Sequence, residues 1–452
     1  MQSNKIIIKN FSKTLLFTSY LLLSLANLIV LWGQNPISSF IVGQLIITLI
    51  VKDFSISPYH FHIYQIINFY FYFSLVISHS FNTLALNQEN YEIAYLINFI
   101  HFVFFSLGYL LLRYEYCPVR VIPRQNYIYL IYLVIGVLFS FFSILSIQKG
   151  YSDLWQSYES TRNLPIYTMS INQIIGKYEQ LLVYLMNNPF VYSIVKLVAS
   201  FFGYIGNGIK AGLLISGITL ILSYQFFVKK ITAIQLVFLL TFSTVSLVTL
   251  IGTTAFRGNL GLEGFLNMRW DRYLWHINNF LVSSESNHIV YTAKIITFLD
   301  DGQTTFRFGF DYWRVFLYPI KDLFSNFELA SYNQFPNIGR VIKVNQGSYI
   351  GLAGELFWNF GIVFFIFSFF HGLILKKFTN WAFSGNLLNI IIYLLMLHSI
   401  IWHLYRGSGN AFMQDILFLI LSLILYKFTM RVIMNKKLIN IRKYFIRFRR
   451  VS

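Results

Sequence analysis

The interval 253–349 holds the side chains of this chain that are best suited to chemistry. It contains eight of the chain's 17 carboxylates, together with nine cations and several tryptophans and tyrosines. Arginine binds phosphate or diphosphate oxygens in bidentate fashion and stays charged at any accessible pH. Aromatic rings stack on sugars, and Asp and Glu accept hydrogen bonds from hydroxyl groups. This mixture suits a phosphorylated sugar lipid. The structural alternative is an interfacial aromatic belt with arginines that reach lipid headgroups.

The rest of the chain has the composition of a protein that lies in a lipid bilayer. Of its 452 residues, 56% are hydrophobic, 19% are aromatic and only 12% are charged. Continuous apolar runs, many of about 20 residues and so long enough to cross the hydrocarbon as a helix, are separated by short polar turns. The alternation typical of strands is absent, and helices satisfy their own backbone groups in lipid. The sequence therefore predicts an all-α polytopic membrane protein.

The apolar runs predict about 12 transmembrane helices, within a range of 10 to 12. The clear runs are 14–33, 37–51, 62–81, 92–112, 127–147, 209–228, 231–252, 350–375, 386–404 and 411–427. Between 165 and 208 we favour two more spans, 166–186 and 190–206. Because Lys177 and Glu179 make the first of these polar, a pair of helices lying at the outer interface is the alternative.

The predicted organisation follows from where the cations fall, since Lys and Arg flank spans on the cytoplasmic side. With both termini inside, the cytoplasmic segments carry a net charge equal to that of the whole chain, +18. These segments include Lys376 and Lys377. The four predicted regions are N-terminal transmembrane helices 1–252, a large external loop 253–349, C-terminal transmembrane helices 350–427 and a basic cytoplasmic tail 428–452.

The basic tail is expected to meet anionic headgroups of the inner leaflet rather than nucleic acid. The chain has one cysteine, Cys117, scattered histidines and no nucleotide-binding or zinc-binding motif. We therefore expect no cofactor and no metal. Four polar segments share the outer compartment under this topology, namely 148–164, 206–210, 253–349 and 405–410.

Four stretches of the sequence carry a family resemblance. They are Ala-Phe-Arg-Gly at 255–258, the aromatic stretch 308–319, the glycine-rich stretch 347–361 and the Arg-Gly pair 406–407. In this order they resemble the Wzy-type polymerases of oligosaccharide repeat units, which make bacterial O-antigen and are related to the enterobacterial common antigen polymerase. The resemblance covers about residues 127–427. The family's turn arginine is replaced here by Lys210.

The resemblance implies a GT-C-like enzyme of the bacterial inner membrane. Its partners would be undecaprenyl-diphosphate-linked oligosaccharide, the lipid bilayer, a chain-length regulator and a flippase. The growing glycan passes from one lipid diphosphate to a sugar hydroxyl of a second lipid-linked unit, and preorganised cations stabilise the leaving diphosphate. The cations assigned to catalysis are Arg257, Arg272, Arg314 and Arg406. The residues assigned to substrate binding are Arg162, Lys210, Arg269, Trp313 and Tyr349.

The acceptor hydroxyl must lose its proton, so a base within hydrogen-bond reach is required. The candidates are Asp311, His288 and Glu355. Asp311 can instead pair with Arg314 on a helical turn, and His288 is expected to be an exposed loop residue. Glu355 lies at the start of a span, where an ionisable group is costly, so function and helix capping are both open for it.

Three other functions remain open at this stage. An O-antigen ligase uses the same donor and a similar layout but delivers the glycan to the lipid A core. A flippase or polysaccharide transporter should line a central cavity with its charges instead of collecting them in one external loop. An acyltransferase for surface sugars is disfavoured because the sequence shows no evident external His-Asp pair and no membrane-embedded histidine motif.

Overall fold

The computed structural model describes ten stretches of the chain and two single residues. The stretches are 63–71, 90–112, 166–186, 189–207, 210–228, 288–302, 304–313, 350–384, 386–407 and 409–435, and the single residues are 43 and 75. Helix is the only regular structure in these stretches. The predicted all-α class is therefore confirmed for the described part of the chain.

Eleven α-helices and one 3-10 turn make up the described structure. The N-terminal helices are α1 (Ile63–Phe71), α2 (Tyr91–Leu111), α3 (Ile166–Met186), α4 (Pro189–Asn207) and α5 (Lys210–Phe227). The C-terminal helices are α6 (His288–Asp300), α7 (Phe310–Trp313), α8 (Gly351–Phe360), α9 (Phe364–Ala382), α10 (Leu387–Arg406) and α11 (Gly409–Asn435). The 3-10 turn Gly361–Val363 separates α8 from α9.

Four segments among the described residues are long and apolar enough to cross a membrane. They are Tyr91–Leu111, Gly351–Ala382, Leu387–Leu404 and Phe412–Thr429. Each overlaps a predicted span, so the chain is a membrane protein of the multi-pass type. Helices α3 to α5 also match the predicted bounds closely, but the total of 12 spans stays a prediction. The predicted spans 14–33, 127–147 and 231–252, and all of 37–51 but residue 43, lie outside the described residues.

Helices α2 and α9 run in the same direction, because His101 contacts Ser368 and Tyr109, further along α2, contacts Lys376 further along α9. The two helices make a close contact at two glycines. A Cβ atom on Gly108 would lie closer than 3.0 Å to the backbone carbonyl of Phe369 on α9. A Cβ atom on Gly372 would lie equally close to the carbonyl of Phe105 on α2. Glycine lets two transmembrane backbones approach in this way. A parallel pair also agrees with the predicted topology, in which both helices run inwards.

Part of the predicted external interval packs along α2 as helix α6. Asn90 Nδ2, beside the first residue of α2, donates to Asp300 Oδ2 at 3.1 Å. Further along α2, Asn98 Nδ2 donates to Thr292 Oγ1 at 3.3 Å. Helix α6 is therefore antiparallel to α2, and its first residue, His288, lies deeper along α2 than its last.

The predicted span 350–375 differs from the structure in two ways. It is interrupted by the 3-10 turn that starts at Gly361, and its second half continues to Ala382. Lys376, predicted to lie in a cytoplasmic flank, is instead buried within α9. Its Nζ atom lies 4.7 Å from the centre of the Tyr109 ring on α2, a cation–π contact that partly replaces lost hydration.

Candidate functional site

The carboxyl group of Glu355 is the centre of a buried polar cluster where helices α7 to α11 meet. Its side chain is 5% exposed. Oε1 accepts a hydrogen bond of 2.7 Å from the backbone N–H of Gly409, the first residue of α11. Oε2 lies 3.7 Å from Nδ1 of His403 on α10. The helix-capping role that the sequence left open is therefore present, because Glu355 caps α11, and its role in function stays a prediction.

Two histidines extend the cluster away from Glu355. His403 Nε2 lies 3.5 Å from Nε2 of His371 on α9. The other ring nitrogen of His371, Nδ1, lies 2.8 Å from the backbone oxygen of Phe367, one turn earlier. The His403 ring is stacked on Phe412 of α11, with centroids 4.6 Å apart. Glu355, His403 and His371 therefore form a chain of three titratable groups on three helices.

Tyr312 lies on the short helix α7, within the interval 253–349, and packs against these three titratable groups. Its hydroxyl group donates to Glu355 Oε2 at 3.5 Å, which is a long hydrogen bond. Its ring makes edge contacts with His371 and His403, at centroid distances of 6.1 and 5.9 Å. Tyr312 is one of the tyrosines of the interval 253–349 that the sequence offers for sugar stacking. That use remains a prediction, and the structure places the Tyr312 ring over the cluster.

The turn between α10 and α11 brings the Arg-Gly pair onto the same site. Gly407 ends α10 in the left-handed conformation, with φ of 64°, and its N–H donates to the carbonyl of His403 at 2.8 Å. Glycine adopts this conformation readily at helix ends. A Cβ atom at Gly407 would clash with the carbonyl of Gly351 and lie 3.1 Å from Cβ of Glu355. The turn therefore lies directly against the start of α8.

His288, expected to be exposed, is buried. It is 1% exposed, and its ring lies so close to Gly351 that a Cβ atom added to this glycine would be 2.9 Å from His288 Cγ. The expectation was wrong because α6 packs against the bundle, which a local sequence pattern does not reveal. His288 therefore lies against Gly351, the first residue of α8, and Glu355 lies one turn further along the same helix. A role for His288 as a base stays a prediction.

The remaining predicted residues are placed only in part. Trp313 is 48% exposed at the end of α7. Asp311 and Lys210 lie on α7 and at the start of α5, and Arg406 ends α10, but their side chains lie outside the described part. The residues wholly outside it are Arg162, Arg257, Arg269, Arg272, Arg314 and Tyr349. Among the described residues, no three His, Cys, Asp or Glu side chains are arranged to hold a metal ion.

An ion pair between Lys177 and Asp415 lies about one helical turn away from the Glu355 cluster. Lys177 Nζ on α3 lies 3.7 Å from Oδ1 of Asp415 on α11. The hydroxyl group of Ser399, one turn before His403 on α10, donates to the other carboxylate oxygen of Asp415. The pair compensates two charges within the apolar helices, where either charge alone is costly. It joins α3 to α10 and α11, two of the helices that carry the first cluster.

Sequence reasoning singled out Glu355 but missed His371, His403 and Asp415. The signal that marked Glu355, an ionisable side chain in an apolar run, was present at all three positions. In chemical terms, the Glu355 cluster offers a carboxylate that can take a proton, histidines that can hold one, and a tyrosine hydroxyl that can donate a hydrogen bond.

Comparison of the chain with protein-family models, curated proteins and solved structures finds no match.

Proposed function

We propose that the protein is a membrane glycosyltransferase that polymerises oligosaccharide repeat units carried on undecaprenyl diphosphate, at the outer face of the bacterial inner membrane. One observation supports this proposal above the others. Glu355 belongs to one of the four stretches that carry the family resemblance, and the described parts of two others, 308–313 and 406–407, converge on it. Residues distant in sequence are brought together where the proposal needs a base.

In the proposed reaction Glu355 is the general base. It accepts the proton of the acceptor sugar hydroxyl, whose oxygen attacks the anomeric carbon of the donor glycan. The bond from that carbon to the diphosphate breaks, and its electron pair leaves on the diphosphate. Arg406, which the resemblance assigns to catalysis, ends α10 directly before Gly407, whose Cα lies against the start of α8, and its proposed role is to stabilise this charge.

An O-acyltransferase for surface sugars is a second candidate. The sequence argued against it because no membrane-embedded histidine motif was evident. The Glu355 and His403 pair, with His371 behind it, now supplies buried histidines beside a carboxylate within apolar helices. An acyltransferase would also deprotonate a sugar hydroxyl, so the same cluster serves either reaction. The product that accumulates separates the two.

The polysaccharide banding of a host that lacks the gene tests the proposal. Loss of the polymer ladder, leaving core that bears a single repeat unit, supports the polymerase, and plasmid-borne wild-type gene should restore the ladder. Loss of the single unit as well points to the ligase if lipid-linked polymer accumulates outside. The same loss points to the flippase if single repeat units accumulate on the cytoplasmic face. An unchanged ladder whose sugars lack acyl groups points to the acyltransferase and overturns the proposal.

A further inference from the structure

The bond between His371 and Phe367 fixes the hydrogen positions of a chain of side chains. A backbone carbonyl oxygen only accepts hydrogen bonds, so His371 Nδ1, 2.8 Å from the oxygen of Phe367, must carry a hydrogen. In a neutral imidazole ring the other nitrogen is then an acceptor. His371 Nε2 therefore presents a lone pair to His403.

The contact between His371 and His403 then determines which nitrogen of His403 carries a hydrogen. The two Nε2 atoms are 3.5 Å apart, and two lone pairs cannot form a hydrogen bond with each other. The hydrogen between them must therefore belong to His403 Nε2. If the His403 ring is neutral, its Nδ1 atom carries a lone pair, which faces Glu355 Oε2 at 3.7 Å.

A lone pair on His403 Nδ1 opposite a bare carboxylate would be a repulsive arrangement. A single proton between the two atoms removes the repulsion, whether it resides on Glu355 or on His403. The site excludes most water, since the side chains are 5% and 2% exposed. The described titratable groups in contact with the pair are Tyr312 on α7 and His371 on α9, and His101 on α2 interacts with His403 electrostatically.

We propose that Glu355 and His403 share one proton, and that His371 is the positioning residue that keeps Nδ1 of His403 directed at Glu355 to receive it. This inference rests on the proposed function for its use but not for its test. For Glu355 to act as the base, the shared proton must lie on His403 Nδ1. The acceptor hydroxyl's proton then moves to Oε2 while the diphosphate departs with the electron pair. One proton leaves the pair before the next cycle.

Infrared spectroscopy of the purified full-length protein in lipid nanodiscs tests the sharing directly. His403→Gln removes the only partner in this pair that can hold the proton as a cation. We expect the carbonyl stretch of a protonated carboxyl group at neutral pH in this variant, because the shared proton can then reside only on Glu355. The band should vanish in the Glu355→Gln, His403→Gln double variant. Absence of any Glu355-dependent band in His403→Gln overturns the proposal.

Nitrogen NMR of histidine-labelled protein tests the direction set by His371. In Glu355→Gln, the His403 signals, identified by their loss on further substitution of His403, should be those of a neutral ring protonated at Nε2. Adding His371→Leu should populate both neutral forms, because the acceptor is gone. A ring protonated at Nδ1 in Glu355→Gln would contradict the proposal.

The function and the proton sharing can fail separately. The spectroscopic signals need no polymer synthesis, so they survive if deletion of the gene leaves the ladder intact. A ladder lost on deletion together with no Glu355 band keeps the function and removes the shared proton.

For activity, His371→Leu should shift the pH profile and lower polymer yield by up to about tenfold, the effect of one hydrogen bond. His371→Gln, which retains an acceptor oxygen, should lie closer to wild type.

Discussion

The backbone N–H of Gly409 donates to Oε1 of Glu355 across a distance of 2.7 Å, which places a carboxyl group at the N-terminus of α11. The first N–H groups of a helix lack partners within the helix, and the helix dipole favours negative charge there. One oxygen of Glu355 is thus used in a structural contact. The other faces His403 and Tyr312, so the two roles of this side chain can be separated by substitution.

Glu355→Gln should abolish most polymer synthesis while leaving the protein folded. The glutamine oxygen can still accept from Gly409, but the amide cannot act as a base, and loss of a general base lowers rate by about 10²- to 10⁴-fold. Glu355→Leu should lose both the activity and the helix cap. The ladder and the midpoint of thermal unfolding in detergent measure the two effects.

The matched control for this substitution is Glu179→Gln, which removes the same charge from an exposed position on α3. It should leave the ladder and the unfolding midpoint unchanged. A full ladder in Glu355→Gln combined with a low midpoint in Glu355→Leu would assign Glu355 to helix capping alone.

Gly407→Ala should destabilise the protein by about 1–3 kcal/mol through overpacking, because the added methyl group meets the carbonyl of Gly351. Gly302 has nearly the same φ, 66° against 64°, but nothing lies within 4 Å of a Cβ placed there. Gly302→Ala therefore carries only the backbone strain. The difference between the two free energies of unfolding measures the close approach, and equal values would show that strain alone is responsible.

Gly108→Ala and Gly372→Ala should each push α2 and α9 apart and lower the unfolding midpoint. The methyl group would in both cases meet the backbone of the partner helix, which cannot turn aside as a side chain can. Gly217→Ala is the control, since it is also a helical glycine and its Cβ position has no atom within 4 Å. There, alanine should be neutral or slightly stabilising, by up to about 1 kcal/mol. A similar loss in all three variants would rule out the proposed crossing point.

The losses of stability in the single variants Lys177→Met and Asp415→Asn should add up to more than the loss in the double variant. Each single change leaves the other charge without its partner among apolar helices, whereas the double variant leaves neither. A double-mutant cycle followed by thermal or denaturant unfolding should give a coupling of about 0.5–3 kcal/mol. Strictly additive losses would show that the ion pair contributes nothing to the packing of α3.

Arg406→Ala should abolish polymer at normal protein level, and Arg406→Lys should restore it poorly because lysine cannot make the bidentate contact. Arg431→Ala, at an exposed position near the other end of α11, removes an equal charge and should leave the ladder intact. Arg257→Ala should likewise abolish polymer at normal protein level. The polysaccharide ladder measures the polymer, and an immunoblot measures the protein. Full polymer in either the Arg406→Ala or the Arg257→Ala variant would remove that residue from the site.

Helix positions could be predicted from the sequence because apolar runs are a local signal. The predicted span 166–186 has the bounds of α3, and 190–206 differs from α4 by one residue at each end. The break at Gly361 was missed because the residues around it are as apolar as those of a continuous span. The burial of Lys376 was missed for the opposite reason, since a cation near a helix end normally marks the membrane surface.

The site was predictable only residue by residue. Glu355 stood out because a carboxyl group in an apolar run is costly, but its contacts are with residues 312, 403 and 409, and no local pattern joins these positions. His288 was misjudged for the same reason, because its burial depends on α6 packing beside α2 and α8. Long-range packing, and not composition, decides which polar residues meet.

The bond from Gly409 to Glu355 spans 54 residues of chain, and this sets an order on biosynthesis. The ribosome adds Glu355 before it adds His403 and Gly409, the residues that the Glu355 carboxyl group contacts in the folded protein. During that interval an ionisable side chain enters the insertion machinery without the partners it has in the finished protein. A nascent chain that stops before Gly409 lacks the N–H group that binds Oε1 of this carboxyl group, so we expect such truncated chains to be degraded by membrane proteases more readily than the full chain.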